Sequence, residues 1–477
     1  MYLLYNFLLI LLVTIAFPFW LYKVVTKEKH RKGFWEKLGL GTELNYVPGD
    51  SRCRIHIHAV SVGEVIAATP FIKGLRQRHP EIRLTLSTVT PTGNEVARKR
   101  LPEVDRILYS PFDLPWSVKR FIRSVKPDIY VSVETELWPN FLREVKRSGA
   151  RSLIINGRIS PDAFKGYRRF RFVMKRVLSN VDLFCMQSDE DAERIRGIGA
   201  PAGSVTVTGN MKYDQKFIEM DGDAISAKMR LYGIDKGDKV IVAGSTHPGE
   251  DEVIISAYLA CQKDDEKPAC TPPVCHPEFI SGSQTMPGEE IPKQVRDDRG
   301  NERGMGFSSE KLRLIIVPRH IERAADIERI VKAKGLDVIR RTGLRNSDKN
   351  DVPHRTVIVV DTIGELSTLY SIATVVIIGG SFIPHGGQNP LEAMYYRKPL
   401  IFGKYMFNFK QITEEILENG AGLMIEDNDS LKVALQGLLN NSSKQQEMGE
   451  KGYHIITKNR GAVERNIAII EKFISGC

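Results

Sequence analysis

Thr374–Gly403, TVVIIGGSFIPHGGQNPLEAMYYRKPLIFG, reads as an apolar strand, a glycine-rich loop, a short helix and a second apolar run. The loop contains four glycines, Gly379, Gly380, Gly386 and Gly387. Glycine tolerates positive φ and lets a ligand approach the backbone closely. A helix that begins near Asn389–Pro390 directs its N–H groups and positive dipole end toward such a ligand. The segment therefore predicts a site for a phosphorylated sugar or nucleotide, although a tight strand–helix turn without a ligand also fits.

The same alternation of apolar runs and amphipathic stretches extends through most of the chain. It predicts parallel βαβ units, and 477 residues exceed what one core usually supports. We therefore expect an α/β protein with two doubly wound domains, residues 23–215 and 238–477, and a ligand cleft between them. The predicted strands are Ile55–Val60, Leu84–Thr88, Ile129–Val133, Ser152–Ile155, Leu183–Gln187, Val205–Thr208, Lys239–Ala243, Leu312–Val317, Asp337–Ile339, Thr356–Val360, Thr374–Ile378 and Pro399–Phe402.

One segment, Lys263–Glu310, breaks this pattern. It is dense in Pro, Gly, Ser and charged residues and has no apolar period. Such long stretches inside a compact domain are usually disordered or inserted. We expect a disordered insertion with no catalytic role.

The amino terminus, Met1–Tyr22, carries no charged residue and is long enough to span a bilayer. Basic residues begin at Lys23, which by the positive-inside tendency places the following chain in the cytoplasm. We expect an uncleaved, single-pass membrane anchor over residues 1–22. An interfacial helix and a cleaved signal peptide are the alternatives, but no Lys or Arg precedes the run, and Phe17–Trp20 replaces the small residues of a cleavage site.

Charge and cysteine usage narrow the partners and the compartment. The net charge of +10 suits anionic partners such as nucleic acid, acidic lipid or phosphorylated substrates. The six cysteines form no CxxC pair and no repeated spacing, so we expect a reducing compartment and no disulfide framework.

Three motifs of the amino-terminal half follow predicted strands and carry ionisable side chains. Glu64 in HAVSVGE can act as a general base on a hydroxyl or simply cap a helix, and this motif alone does not separate the two roles. VSVETELWP carries two carboxylates, Glu134 and Glu136, at the end of a strand, which is more than helix capping requires, so we expect one of them to be functional. Lys212 in GNMKYD suits a phosphate or carboxylate, or else is a solvent lysine.

Three further loops of the carboxyl-terminal half follow predicted strands: Gly244–His247, Pro318–His320 and Asp361–Glu365. Arg319 can form a forked pair with a phosphate or carboxylate. Each loop alone fits a structural turn equally well. Together with the glycine-rich loop, however, they point to a nucleotide site.

The stretch Tyr167–Arg176 interleaves basic and aromatic residues. It is compatible with a nucleic-acid patch, a solvated basic face, or a surface for anionic lipid. Because an apolar anchor lies on the same chain, we favour membrane lipid or a phosphorylated lipid and expect no nucleic-acid partner.

Taken in order, these motifs resemble one family. HAVSVGE, STVTPTGNEVA, SVETELWPN, NGRIS, GNMKYD, AGSTH, PRH, DTIGEL, GGSF and GGQNPLEA are similar to the motifs of 3-deoxy-D-manno-octulosonic acid (Kdo) transferases. The resemblance implies a GT-B glycosyltransferase, with two Rossmann-like domains facing a cleft. It also implies transfer of Kdo from CMP-Kdo to the lipid A precursor, lipid IVA, at the cytoplasmic side of the bacterial inner membrane.

The resemblance also implies residue roles. Glu64 matches the family's proton acceptor, and Glu134 and Lys212 match residues that stabilise the transition state. Ile363 stands where Met is commoner, and Gln388 where His is commoner. The positions that match CMP-binding residues are Pro318, Arg319, Ile363, Gly364, Glu365, Asn389, Pro390, Leu391 and Glu392.

The implied reaction is a one-step displacement that inverts the anomeric carbon. The chain contains Asp-x-Asp pairs, but none of them suggests a metal-bound nucleotide. The leaving group CMP carries less negative charge to neutralise than a diphosphate does, so we expect no metal and no other cofactor. A sugar-nucleotide epimerase of the same fold and a non-catalytic, membrane-tethered sugar-nucleotide-binding protein are the alternatives.

Overall fold

A computed structural model describes residues 1–26, 31, 33–41, 52–264, 311–345, 350–353 and 355–477. The described chain divides into two compact units: unit 1 is Met1–Lys216 with Ile456–Cys477, and unit 2 is Phe217–Ile455.

The helices, numbered in chain order, are α1 Tyr2–Thr26, α2 Phe34–Lys37, α3 Val62–Arg78, α4 Pro91–Arg100, α5 Pro115–Val125, α6 Pro139–Arg147, α7 Pro161–Arg169, α8 Arg171–Leu178, α9 Asp189–Gly197, α10 Gly222–Leu231, α11 Asp251–Asp264, α12 Ala324–Ala333, α13 Leu366–Tyr370, α14 Leu391–Tyr395, α15 Lys410–Glu418, α16 Asn428–Leu439, α17 Ser442–Asn459 and α18 Ala462–Ile474. The strands are β1 Arg54–His58, β2 Arg83–Thr88, β3 Arg106–Tyr109, β4 Ile129–Val133, β5 Arg151–Gly157, β6 Leu183–Met186, β7 Val205–Val207, β8 Lys239–Thr246, β9 Leu312–Pro318, β10 Val338–Arg340, β11 Val357–Val359, β12 Val375–Ile378, β13 Leu400–Gly403 and β14 Gly422–Ile425.

Unit 1 is built on a seven-stranded parallel sheet in the order β3-β2-β1-β4-β5-β6-β7. Helices cover both faces, which is why its strands read as nearly continuous apolar runs. Residues that alternate along β1 point to opposite faces: Ile55 and Ile57 join one core cluster with α3, whereas the His56 ring packs beside Phe121 and Tyr130 on the other face. The strand order reverses between β1 and β4, the position at which doubly wound sheets bind ligands.

Unit 2 has a second seven-stranded parallel sheet, in the order β10-β11-β9-β8-β12-β13-β14. Its order reverses between β8 and β12. The apolar side chains of α11, α12 and α16 pack on one face of this sheet. The predicted α/β class with two doubly wound domains is therefore confirmed, and every predicted strand is present.

The predicted boundary of the carboxyl-terminal domain, 238–477, differs from the observed division. α10 belongs to unit 2, whereas Ile456–Cys477 belongs to unit 1, where Ala462, Val463 and Ile467 of α18 join the core beside α3. An apolar stripe shows that a helix face is buried but not which sheet it covers, so the sequence pattern could not assign α18.

One pair of cysteines departs from the expectation of no disulfide framework. Cys53 and Cys477 form a disulfide, with Cα atoms 5.5 Å apart, that joins the beginning of the sheet in unit 1 to the carboxyl end of the chain. The two cysteines are 424 residues apart, so spacing could not reveal a pair that only the return of α18 creates. Cys185 and Cys261 are buried.

Two segments, residues 1–22 and Lys263–Glu310, were predicted to lie outside the folded domains. α1 contains an apolar stretch, Tyr2–Phe19, with mean hydropathy 2.1 and the length to cross a membrane. The predicted insertion, Lys263–Glu310, lies outside the described residues except for its first two, which end α11.

Candidate active site

The switch point of unit 1 brings together the loops after β1 and β4. Register pairs His58 of β1 with Ser132 of β4, so the segments that follow these residues leave the same edge of the sheet side by side. The first loop leads into α3, whose first turn carries Glu64, and the second loop carries Glu134 and Glu136. The carboxylates that the sequence singled out are therefore neighbours at the ligand-binding edge of the fold.

Glu64 lies in the first turn of α3 and is 7% exposed. Its Oε2 accepts a hydrogen bond from the Val60 N–H at 2.7 Å and its Oε1 accepts one from Ser61 Oγ at 2.9 Å. Ser61 is the N-cap, so the pair forms a variant of the capping box. Burial, and next the charge of Glu134, raise the pKa of Glu64 to about 8, although the bonds from Val60 and Ser61 lower it. Glu64 is thus a carboxyl group that changes charge near neutral pH.

Glu134 and Glu136 differ in their surroundings. Glu134 has a φ of 59°, a left-handed conformation that a non-glycine residue adopts at some cost and that often marks a functional site. Its N–H donates to the Ile155 carbonyl at 2.9 Å, which fixes the loop on β5. Glu136 accepts a hydrogen bond from Trp138 Nε1 at 2.9 Å, and burial raises its pKa.

Lys212 lies in a 3₁₀ turn, Met211–Asp214, that is anchored at both ends. The Met211 N–H donates to Asn156 Oδ1 at 2.9 Å. At the other end, the Asp214 carboxylate accepts from the N–H groups of Gly461 and Val463, both at 2.7 Å, where α18 begins. The carboxyl-terminal helix therefore holds the turn that presents Lys212.

Glu64, Glu134 and Lys212 form one electrostatic cluster in unit 1. Burial lowers the pKa of Lys212, while the charges of Glu134 and Glu64 oppose that effect. The three side chains that the sequence predicted to be catalytic are therefore brought together, with Arg158 as a second cation close enough to affect Lys212. Such a set can exchange a proton and balance developing charge.

In unit 2 the glycine-rich loop leaves β12 beside the end of β8. The Gly379 N–H donates to the Gly244 carbonyl at 2.8 Å, and a Cβ at Gly379 would lie only 2.4 Å from the Ser245 carbonyl oxygen. The buried Glu250 carboxylate holds this loop, since it accepts from the N–H groups of Gly380, Ser381, Phe382 and His247 at 2.7–3.0 Å.

Three histidines gather where these loops meet. The His247 ring lies 3.9 Å from that of His385 and 6.3 Å from that of His320, centroid to centroid. Burial, and then the neighbouring His385, lower the pKa of His247 to about 4, so His247 is neutral and accepts at Nε2 from the Gln388 amide at 3.2 Å. The exposed Arg319 follows β9, and its N–H donates to the Thr246 carbonyl at 3.0 Å. This edge of unit 2 is polar and cationic, as an anionic ligand requires.

The remaining predicted donor residues have varied environments. Pro318, Pro390 and Leu391 are buried, whereas Ile363 is 82% exposed and Gly364 has a φ of 92°. Asn389 Oδ1 accepts from the Leu391 N–H at 3.1 Å. Burial, and next the charge of Glu392, raise the pKa of Tyr370.

Glu365 belongs to an ion-pair network. It contacts Lys228 at 3.3 Å and Arg341 at 3.0 Å, and it accepts from Thr362 Oγ1 at 2.6 Å. Burial raises the pKa of Glu365, but these partners outweigh burial and the net pKa is lowered. Its carboxylate therefore stays ionised and holds its loop in place.

Several residues that organise the site were missed by the sequence analysis. Glu250 and Asp214 act only through backbone N–H groups, and nothing in their local spacing marks them. Asn156 lies in the predicted NGRIS motif, has a φ of 54°, and its buried Nδ2 has no hydrogen-bond partner among the described residues. The left-handed conformation of this asparagine is visible only in the structure.

Residues 31–215 match the family described as "3-Deoxy-D-manno-octulosonic-acid transferase (kdotransferase)", and residues 344–455 match "Glycosyl transferases group 1". The 3-deoxy-D-manno-octulosonic acid transferase of Haemophilus influenzae is 30% identical over 454 residues, which cover 94% of this chain and 93% of that protein. The chain belongs to the Kdo transferase family. The transferase of the same name from Chlamydia pneumoniae is 26% identical and covers 98% of this chain and 96% of its own length.

The likeness among solved structures concerns the fold. A glycosyltransferase from Rickettsia africae matches with a TM-score of 0.53 at 11% identity, over 90% of this chain and all of that one. Together with the two parallel sheets, this match supports the GT-B class. Because the Kdo transferases are glycosyltransferases, this member of the family is a transferase enzyme.

Proposed function

We propose that this protein transfers Kdo from CMP-Kdo to a hydroxyl group of the lipid A precursor, lipid IVA. We further propose that the transfer inverts the anomeric carbon and takes place at the cytoplasmic face of a bacterial inner membrane. Family membership supports the transferase activity. The observation that supports the mechanism is the buried Glu64 carboxyl group, whose pKa is raised to about 8 beside Glu134 and Lys212.

In the proposed mechanism Glu64 is the general base. A base is most effective when its pKa lies near the working pH, and a pKa of about 8 meets this condition far better than the ordinary value of 4.5. The acceptor oxygen forms a bond to the anomeric carbon as the bond to the CMP phosphate oxygen breaks. The hydroxyl proton passes to Glu64, and CMP leaves with the bonding electron pair.

Glu134 and Lys212 stabilise the charges that develop. The sugar becomes cationic at its anomeric carbon, as an oxocarbenium-like centre, which the Glu134 carboxylate favours. The positive charge of Lys212 reduces the electrostatic repulsion between the carboxylates of Glu64 and Glu134 when both are ionised.

The loops of unit 2 are proposed to bind CMP-Kdo. Arg319 and the N–H groups of the glycine-rich loop suit its phosphate. We also propose that transfer needs no metal, because a monophosphate leaving group requires less neutralisation than a diphosphate. Addition of EDTA should then leave turnover unchanged.

The surface of α7 and α8 supports a lipid acceptor. Arg168, Arg169, Arg171, Lys175 and Arg176 are exposed, and Phe170 and Phe172 between them are 62% and 81% exposed. Cations suit the lipid phosphates, and exposed aromatic rings suit the interfacial region of a membrane.

Incubation of the purified protein with CMP-Kdo and lipid IVA tests the proposal. A glycolipid product with inverted anomeric configuration is the expected result, read by mass spectrometry and NMR. An isomerised sugar nucleotide would instead indicate an epimerase, and binding without any product would indicate a non-catalytic protein. Glu64→Gln should abolish turnover yet still bind CMP-Kdo, and turnover within a few fold of wild type would remove Glu64 from the mechanism.

A further inference from the structure

The helix α1 presents apolar side chains in every direction. No residue of its most apolar stretch, Tyr2–Phe19, is buried against the rest of the protein. A helix that is apolar all round requires an apolar environment, and the membrane location proposed above supplies one. Its strongly exposed apolar residues include Leu3, Leu4, Phe7, Leu12, Ile15 and Phe19.

The first two turns of α1 nevertheless bind unit 1 through polar groups. Tyr5 Oη donates to Asp113 Oδ2 at 2.8 Å, and Asn6 Oδ1 accepts from Asn140 Nδ2 at 2.6 Å. Asp113 and Asn140 are 4% and 5% exposed, so these partners are built into the folded unit. The same Asp113 carboxylate caps α6, since it accepts from the Asn140 and Phe141 N–H groups.

Tyr2 adds to these contacts. We call the contacts of Tyr2, Tyr5 and Asn6 with unit 1 the polar seat of α1. The Tyr2 hydroxyl oxygen accepts from Asn180 Nδ2 at 3.0 Å, and the Arg143 guanidinium lies 4.2 Å from the Tyr2 ring centroid. Asn180 follows α8 by two residues, so the basic and aromatic surface of α8 adjoins the amino-terminal end of α1.

The chain after α1 is fixed to the same part of unit 1. The Glu36 carboxylate accepts from the Tyr109 N–H at 2.7 Å, and the Lys37 carbonyl accepts from the Phe112 N–H at 2.8 Å. Phe112 precedes Asp113, the partner of Tyr5. Both flanks of α1 are therefore tied to adjacent residues of one folded unit.

These contacts are incompatible with a membrane crossing. The 25 residues of α1 extend roughly 37 Å, longer than the hydrocarbon core of about 30 Å. A crossing would place Tyr2, Tyr5 and Asn6 on the side opposite unit 1 and break the polar seat. We propose that α1 lies within one leaflet of an anionic bilayer, with both ends on the side of unit 1, instead of spanning it as the sequence suggests.

Side-specific labelling of the full-length protein in cell membranes tests this topology. A short cysteine-bearing tag is placed ahead of Met1, and a matching tag after Cys477 reports vesicle orientation. A membrane-impermeant maleimide should modify both tags in inverted vesicles and neither in right-side-out spheroplasts, with the modified peptides identified by mass spectrometry. Labelling of the amino-terminal tag only in spheroplasts would overturn the proposal.

Variants test whether the polar seat holds the helix. The double variant Tyr5→Phe, Asn6→Leu removes the seat's bonds to Asp113 and Asn140, whereas Tyr22→Phe changes an exposed tyrosine of the same helix. The double variant should lose part of its labelling in inverted vesicles and gain labelling in spheroplasts, and the control should match the wild type. Equal labelling of all three would refute the role of the seat. The readout does not need turnover, so a protein that transfers Kdo but labels as a spanning helix defeats only this inference.

Discussion

Replacement of Glu64 by Gln should increase the stability of the protein while it removes activity. The glutamine amide can keep both hydrogen bonds, with its oxygen accepting from Val60 and its NH₂ donating to Ser61 Oγ. The substitution removes an ionisation that the folded state resists, because the pKa of Glu64 is about 8 in the folded protein against an ordinary value of 4.5. The unfolded chain releases this proton more readily, so ionisation favours unfolding.

The magnitude follows from that difference in pKa. At about 1.4 kcal/mol per pKa unit, the gain from Glu64→Gln should be about 1 kcal/mol at pH 5, about 3 kcal/mol at pH 7 and at most about 5 kcal/mol above pH 8. The sign is that of a carboxyl group whose pKa is raised on folding, so the gain is absent below pH 4.5 and complete above pH 8.

Unfolding curves of the full-length protein in a single detergent, recorded from pH 5 to pH 9, provide the assay. Glu193→Gln is the matched control, because Glu193 is an exposed glutamate on α9 of the same unit. Its stability should track the wild type at every pH. A Glu64→Gln variant that is no more stable than wild type at pH 8, or whose gain does not grow with pH, would refute the raised pKa and with it the argument for Glu64 as a base near neutrality.

Three further predictions follow from the same contacts. Glu250→Gln should weaken CMP binding at least several fold in calorimetry, because one oxygen that accepts backbone N–H groups becomes an NH₂ donor, whereas the exposed Glu252→Gln should bind normally. Asp214→Asn should lower kcat more than it raises KM for CMP-Kdo, because it loosens the turn of Lys212 on α18; a change confined to KM would contradict this. Burial lowers the pKa of His56 to about 3 and that of His58 to about 4, so both imidazoles of the folded protein should stay neutral from pH 6.5 down to pH 5 in an NMR titration; protonation of either ring above pH 5 would be inconsistent with neutral buried histidines.

The strands were predictable wherever burial on both faces produced a continuous apolar run. β3 and β14 were not predicted; both lie at a sheet edge, but the edge strands β7 and β10 are shorter and were predicted, so length and position do not explain the omission. The packing of α18 could not be predicted for a different reason. Its apolar stripe is compatible with the core of either unit, and only the folded structure shows that it packs beside α3.

The residues of the candidate site likewise include some that the sequence pattern indicates and some that it does not. Glu64, Glu134 and Lys212 could be singled out as candidates because each lies within six residues after a strand and is a side chain suited to proton transfer or charge compensation. Glu250 and Asp214 could not, because they act on backbone N–H groups far away in sequence, Glu250 on Gly380–Phe382 and Asp214 on Gly461 and Val463. Long-range contacts of this kind leave no periodicity or spacing in the chain.

The pKa of Glu64 bears on the two roles that the sequence left open. A glutamate that only caps a helix accepts N–H bonds at the positive end of the dipole, and both effects lower its pKa. Glu64 does accept such bonds, yet burial and the charge of Glu134 outweigh them and the net pKa is raised. A cap would gain nothing from a second carboxylate at the same sheet edge, whereas a base that must take up a proton does gain, because the neighbouring charge of Glu134 favours the protonated form of Glu64. The direction of the pKa therefore favours proton transfer over capping.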